Sequence, residues 1–401
     1  MKKDILISVY DMEIGGIERS LINMLESFDY EKYNVDLLIF HHKGDFLTLI
    51  PEKVNVLNEI NAYSVFRKPI IHCVKEGHYL TSAIRIISKF AANIKANSRK
   101  LEEGSGYIQM QLALKYSCYF LPKLKKQYDI AISYAWPHDI LLKRIKAGKK
   151  IAWIHTDYSK LEIDNKVDLN IWTKFDYIVS ISEECTKAFL SVYPSLEKKI
   201  LLVENLTSPA FIKKMAGNGQ QTARTEVDIT DFNLLSVGRL SYVKGFDMAV
   251  KALKILHDKG LTNIKWYIIG EGGYKAELEE LIRKSNMEKS FILLGKKTNP
   301  YPYFKICDLY VQPSRYEGKA VAVTEAKILE KPIVITNYPT AHSQIQDGRE
   351  GVICELSEKG LAQAIELFFK NNKLKDNLVQ NIQNQDYDNK SELNKLYEVI
   401  R

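Results

Sequence analysis

Glu317, Glu325, Arg239, Lys244 and His155 are the residues of this 401-residue chain whose types and spacing point to chemistry. Glu317 and Glu325 stand eight residues apart, which is ~12 Å if the span between them were helical throughout. That is about the length of a nucleotide diphosphate-sugar from ribose to hexose. One acid could hold sugar hydroxyls and the other ribose hydroxyls. A diphosphate between them would rest on the free N–H groups and positive dipole end of a helix start. Taken alone, the pair also fits two ordinary acids, one favouring a helix start and the other solvated.

Arg239 and Lys244 follow Gly238, which permits close backbone approach at a strand end. A bidentate guanidinium and a mobile ammonium match a diphosphate whose charge rises as a glycosidic bond breaks. The alternative is two solvated surface cations. His155 tips the apolar run Ile151–Ile154, and strand ends of parallel sheets are where ligands bind, though an internally satisfied histidine fits that position equally well. Gly15 and Gly16 lie between a first strand and a helix, as a ligand-approach loop or a plain tight turn.

The elements that must position these residues read as a parallel α/β chain. Leu309–Val311 ends a buried strand, and Pro313, Ser314, Glu317 and Gly318 turn the chain. A helix carries Ala320, Val321, Val323, Thr324, Glu325 and Ile328, and Pro332 leads into the strand Ile333–Ile335. Further strands are expected at 4–10, 35–40, 54–57, 128–134, 150–155, 175–182, 200–205, 232–237, 266–269 and 292–295. The polar, turn-rich 209–231 stretch predicts a linker. The chain then divides into domains at 1–208 and 232–378, with a final helical segment over 379–401.

Ser314-x-x-Glu317, then seven residues and Glu325-Ala326, then Lys331-Pro332-Ile333-Val334, resembles the E-x7-E signature of the family 4 retaining glycosyltransferases. Gly238-Arg239-Leu240-x-x-x-Lys244-Gly245 resembles that family's diphosphate site, Trp153-Ile154-His155 its strand-end histidine, and Gly15-Gly16-x-Glu18 its first glycine loop. The resemblance covers nearly the whole chain. It implies the GT-B fold, two Rossmann-like domains facing an interdomain cleft, with the last segment crossing back to the first domain. It implies catalytic roles for His155, Glu317, Arg239 and Lys244. Donor binding falls to Gly16, Arg239, Lys244, Gly270, Glu317, Gly318, Lys319, Ala320 and Glu325. The pattern departs at Lys319-Ala320, where many members carry an aromatic residue and a glycine, so it leaves the sugar open. The implied reaction moves a sugar, with retention, from a nucleotide-diphosphate donor, a UDP-sugar being favoured, to a saccharide acceptor in capsule-type polysaccharide assembly. No Asp-x-Asp pair occupies a suitable loop, so no metal and no cofactor is expected.

Composition sets outer limits. Hydrophobic residues make up 46% and charged residues 26%, which fits a globular protein. The five scattered cysteines form no C-x-x-C pair and suggest reduced thiols in a cytoplasmic protein. The opening residues read as a strand rather than a secretion signal, because Asp11 and Glu13 break the apolar run. The net charge is +8, and the 66–126 stretch alone holds twelve basic residues against three acidic ones. Leu80, Ile84, Ile87, Phe90, Ala91 and Ile94 recur there at helical spacing. A basic amphipathic insertion of this kind predicts peripheral contact with the anionic inner face of the plasma membrane and a lipid-linked acceptor. A core-facing helix with a solvated basic back is the alternative. Without a recognised reading module, nucleic acid is not an expected partner. Two other readings stay open: a non-catalytic glycosyltransferase-like partner or chaperone subunit, and another GT-B enzyme such as an epimerase or phosphorylase.

Overall fold

The computed structural model describes residues 2–99, 101, 104–317 and 320–401. The chain forms two compact units, Met1–Thr207 with Asn389–Arg401, and Ser208–Asp388.

The first unit is built on seven strands: β1 (Lys3–Val9), β2 (Tyr33–Ile39), β3 (Asn55–Val56), β4 (Gln127–Ser133), β5 (Lys146–Ile154), β6 (Tyr177–Ser180) and β7 (Ile200–Leu202). They lie in the order β3-β2-β1-β4-β5-β6-β7, all parallel, with Ile5 opposite Val35 on one side and Ile130 on the other. Strands covered on both faces read as continuous apolar runs, and Ile5, Leu6, Ile7 and Val9 are fully buried. The returning Asn389–Arg401 segment is fastened by the helix Glu392–Ile400. Tyr397 stacks on Tyr33 at 5.3 Å, and the ammonium groups of Lys3 and Lys149 donate to the carbonyls of Ile400 and Val399.

The second unit holds β8 (Phe232–Val237), β9 (Ile264–Ile269), β10 (Phe291–Gly295), β11 (Leu309–Gln312), β12 (Ile333–Thr336) and β13 (Val352–Cys354). Their order, β10-β9-β8-β11-β12-β13, is again parallel throughout. β8 and β11 are joined inside the sheet by Ser236, whose hydroxyl donates to the Val311 carbonyl and accepts from the Trp266 indole. In each unit the chain order reverses beside the first strand, between β1 and β4 and between β8 and β11. Open parallel sheets bind ligands at such switch points, beyond the carboxyl ends of the strands.

The 209–231 stretch is not a linker. It forms the helices Pro209–Gly217 and Gln220–Glu226, turned at Asn218-Gly219, where Gly219 takes φ +83°. The turn-rich composition marks this corner between helices. The pair holds the 296–301 loop, with Asn299 donating to the Met215 and Asn218 carbonyls and Lys297 paired with Glu226. At the other end the helix Asn372–Gln383 still belongs to the second unit, so the return starts at Asn389 rather than at 379.

Candidate functional site

β8 and β11 deliver the second unit's polar residues to one switch point. After β8 the chain runs through Gly238 and Arg239 into a short 3-10 turn, Tyr242–Lys244. Gly245 then takes φ +68°, and a Cβ there would lie 1.9 Å from the Pro313 carbonyl oxygen, so only glycine lets the two loops meet. Gly270 is constrained in the same way. At φ +152°, a Cβ would come within 1.9 Å of the Gly238 carbonyl oxygen. Gly270 therefore acts as a backbone seat for the Gly238-Arg239 turn. Arg315 fastens the loops from the β11 side, with its guanidinium pairing bidentately with Asp247 at 2.7 and 2.6 Å and stacking over the Tyr242 ring.

Glu317 is buried at the centre of this arrangement. Its Oε1 accepts from the Lys244 ammonium at 2.6 Å, the Ser314 hydroxyl at 2.6 Å and the Gln312 amide at 3.0 Å. Gln312 is the last residue of β11 and is held by Tyr310 from the same strand. Thr336 donates to the Ser314 carbonyl and Thr340 to the Glu317 carbonyl. A carboxylate with three donors on one oxygen is fixed in orientation. The Lys244 stem crosses Gly238, passing within 3.5 Å of where a Cβ would stand. Arg239 is exposed and makes no side-chain hydrogen bond or ion pair among the described residues.

The helix after this loop runs Val321–Ile328, one residue later than the sequence suggests, with Ala320 as its N-cap and the Ala320 amide donating to Gln344 Oε1. Glu325 lies on that helix with 1% of its surface exposed, and it accepts from the Tyr301 hydroxyl at 2.9 Å. The structure thus brings Glu317, Lys244, Gly238 and Gly270 together and places Glu325 on the adjoining helix. Gly318 and Lys319 lie outside the described residues. Gln312, Arg315 and Tyr301 are the participants that sequence reasoning did not single out. A glutamine ending a fully apolar strand was the available signal for the first.

In the first unit, Gly15 and Gly16 follow β1 and open the helix Gly16–Glu26. A Cβ on Gly16 would meet nothing within 4 Å, so its turn is not what demands a glycine. That helix is tied to the end of β4 by Tyr134, whose hydroxyl donates to Ser20, which in turn donates to Asn205. His155 follows β5 directly, and its Nε2 lies 2.8 Å from the Tyr134 carbonyl oxygen. A carbonyl only accepts, so Nε2 carries the proton and Nδ1 presents a lone pair. Burial lowers the His155 pKa to about 4, against the opposing pull of the Tyr134 carbonyl. The ring is therefore neutral near pH 7 and suited to accepting a hydroxyl hydrogen.

Residues 220–385 match the family described as glycosyl transferases group 1. Among curated relatives, the chain is 30% identical over 157 residues to the N-acetylgalactosamine-N,N'-diacetylbacillosaminyl-diphospho-undecaprenol 4-alpha-N-acetylgalactosaminyltransferase of Campylobacter jejuni, covering 39% of this chain and 42% of the relative. It is 25% identical over 218 residues to the capsular polysaccharide biosynthesis glycosyltransferase CapM of Staphylococcus aureus, covering 49% and 56%. The chain thus spans about half the length of the curated relatives it matches. Among solved structures, Anabaena HepE in complex with UDP and glucose superposes with a TM-score of 0.66 at 15% identity, covering 99% of each chain. Staphylococcus aureus TarM, in complex with UDP among other molecules, also gives 0.66, at 16% identity and with both chains fully covered. At such identities the likeness concerns the fold. This chain has the GT-B fold, and its residues 220–385 match the glycosyl transferases group 1.

Proposed function

We propose that the chain is a retaining, metal-independent hexosyltransferase that moves a sugar from a nucleotide-diphosphate donor, a UDP-sugar, to a lipid-linked saccharide in cell-surface polysaccharide assembly. The observation that carries this reading is the buried Glu317 with Lys244, Ser314 and Gln312 on one oxygen, set at the β8–β11 switch point. The UDP and glucose bound in HepE and the undecaprenol-linked substrate in the Campylobacter relative's name support the donor and acceptor classes. In this reading the second unit holds the donor and the first unit the acceptor.

The bond between the anomeric carbon and the diphosphate oxygen breaks as the acceptor hydroxyl approaches from the same face. The hydroxyl proton passes to the departing diphosphate. Lys244 and Arg239 bear the growing negative charge, a task given in other enzymes to a divalent ion. Glu317 holds sugar hydroxyls, Glu325 the ribose, and His155 accepts a hydroxyl hydrogen through Nδ1.

A thermal-shift screen with UDP, GDP, dTDP and ADP and their sugars, with and without EDTA, tests the reading on wild type and Glu325→Ala. At a hundred times its dissociation constant a ligand stabilises by about 2.7 kcal/mol. One nucleotide raising the midpoint of wild type alone, with EDTA present, is the expected result. Loss of the shift on adding EDTA would overturn metal independence. Donor binding without turnover in the presence of saccharide acceptors would turn the reading to a non-catalytic partner.

A further inference from the structure

The helix Tyr79–Arg99 is packed the wrong way round for a soluble surface. Its inward face is small and polar: Thr81, Ser82, Arg85, Ser88, Ala92 and Ala96 are its buried residues. Its outward face is apolar. At ~100° per residue, Leu80, Ala83, Ile87, Phe90, Ala91 and Ile94 fall on one stripe, and Ile87, Phe90 and Ile94 are 68%, 68% and 73% exposed. The basic amphipathic insertion read from sequence therefore turns its oily side away from the core, and the core-facing alternative does not hold.

The orientation is fixed by polar hooks. The Arg85 guanidinium is buried against the Val65 carbonyl and Cys73 Sγ. Further along, Lys95 pairs with Asp164, which caps the helix Asn165–Trp172, and Arg99 donates to the Ile163 carbonyl. Rolling the helix to hide its stripe would strip all three cations of these partners and leave the buried Arg85 guanidinium without its acceptors. Of the twenty large hydrophobic side chains exposed among the described residues, twelve lie between residues 71 and 120, Tyr79, Tyr107, Tyr116, Tyr119 and Phe120 among them. A concentration of this kind marks an interaction surface.

We propose that this helix docks in the plane of an anionic lipid bilayer. Charge selects the occupant. In the 66–126 segment, Lys75, Lys89, Lys115, Lys123 and Lys125 are exposed and have no carboxylate partner among the described residues, while the segment's only described acid, Glu76, is paired with Lys68. A two-fold pair of chains docked through this helix would bring two copies of a segment with excess positive charge together. An anionic headgroup layer satisfies the lysines while the acyl boundary takes Ile87, Phe90 and Ile94. No helix among the described residues is long and apolar enough to cross a membrane, so the contact is a surface one. The inference goes beyond the transferase reading and is tested without donor or acceptor.

The test is flotation of the full chain with vesicles of phosphatidylcholine alone, or with about a third phosphatidylglycerol, near 0.15 M salt. Wild type should bind the anionic vesicles about tenfold or more tighter than the neutral ones, and Ile87→Ser/Phe90→Ser/Ile94→Ser should lose about tenfold or more. Those substitutions sit on the solvent side, so the thermal midpoint should stay that of wild type. As a second readout, the indole emission of Phe90→Trp should be quenched by brominated lipid. Wild type failing to bind, the triple variant binding unchanged, or indole emission left unquenched in vesicle-bound Phe90→Trp would each overturn the proposal. So would a wild-type dimer in sedimentation that the triple variant abolishes while vesicles go unbound.

Discussion

Lys244 is engaged by Glu317, and this has a measurable consequence. Its ammonium lies 2.6 Å from Glu317 Oε1, with the two side chains 23% and 9% exposed. If Lys244 serves the donor diphosphate as proposed, that diphosphate must draw it from the carboxylate, or share it, and part of the ion pair is lost in doing so. Two unit charges ~4 Å apart interact by about 4 kcal/mol at an effective dielectric near 20. Desolvation and the residual exposure of Lys244 cancel much of this. The pair then falls between exposed pairs worth under ~1 kcal/mol and buried ones that cost about 3–5 kcal/mol to break. A net coupling near 1.4 kcal/mol, or about tenfold in affinity, is the working figure.

Glu317→Gln should therefore bind UDP about tenfold tighter than wild type while sugar transfer falls. The amide oxygen still accepts from Ser314 and Gln312, so the loop stays in place. Removing a carboxylate would also ease plain repulsion of the diphosphate, and a second comparison separates the two causes. In a Lys244→Met background there is no ammonium to release, so adding Glu317→Gln should leave UDP affinity within about twofold of Lys244→Met alone. Isothermal titration of the four proteins measures this directly. An unchanged or weakened UDP affinity in a normally folded Glu317→Gln, or a gain that persists without Lys244, would refute the argument.

Two further outcomes follow from the same geometry. Gly270→Ala should destabilise the chain by roughly 2 kcal/mol or more, because its Cβ would drive into the Gly238 carbonyl at a φ of +152°; a thermal midpoint within a degree of wild type would contradict this. Burial holds His138 near a pKa of about 3 and His155 near about 4, both below the ordinary value of 6.5. The unfolded chain takes up these protons first, so their contribution is complete above pH 6.5 and is lost as the pH falls toward 4, with Asp168, raised by burial to about 6, opposing the trend. Wild type should accordingly lose about 2 kcal/mol more than His138→Gln between pH 6.5 and 4.5, read from paired unfolding curves; parallel losses would show that His138 titrates normally.

The strands were legible because their physics is local. Ile5–Val9, Leu234–Val237 and Ile333–Ile335 are short apolar runs bounded by turn residues, and a parallel sheet covered on both faces requires nothing else of them. Glu317 and Lys244 were each legible through a resemblance of motifs, though not as partners of one another. What joins them was not. Arg315 with Asp247, Tyr301 with Glu325 and Thr340 with the Glu317 carbonyl link residues 68, 24 and 23 positions apart, and no local pattern announces such pairings. The 209–231 stretch misled because Gly, Asn and Gln mark a corner between helices as well as they mark a linker.

The Tyr79–Arg99 helix shows where periodicity stops informing. Leu80, Ile87, Phe90 and Ile94 define a stripe at helical spacing, but the pattern is the same whether that stripe faces a core or leaves it. The outcome rests on the polar side. Arg85 reaches the Val65 carbonyl and Lys95 reaches Asp164 from within the same helix, so two of the cations that made the segment look like a basic patch are engaged in holding it to the fold. Counting charge along the segment thus overstates what is free to meet a surface and misses the stronger signal. That signal is a helix whose small and polar residues are buried and whose large apolar ones are not. If the stripe were incidental, replacing Ile87, Phe90 and Ile94 with serine would leave vesicle binding untouched; if it docks, the apolar contribution should persist at salt concentrations that screen the lysines.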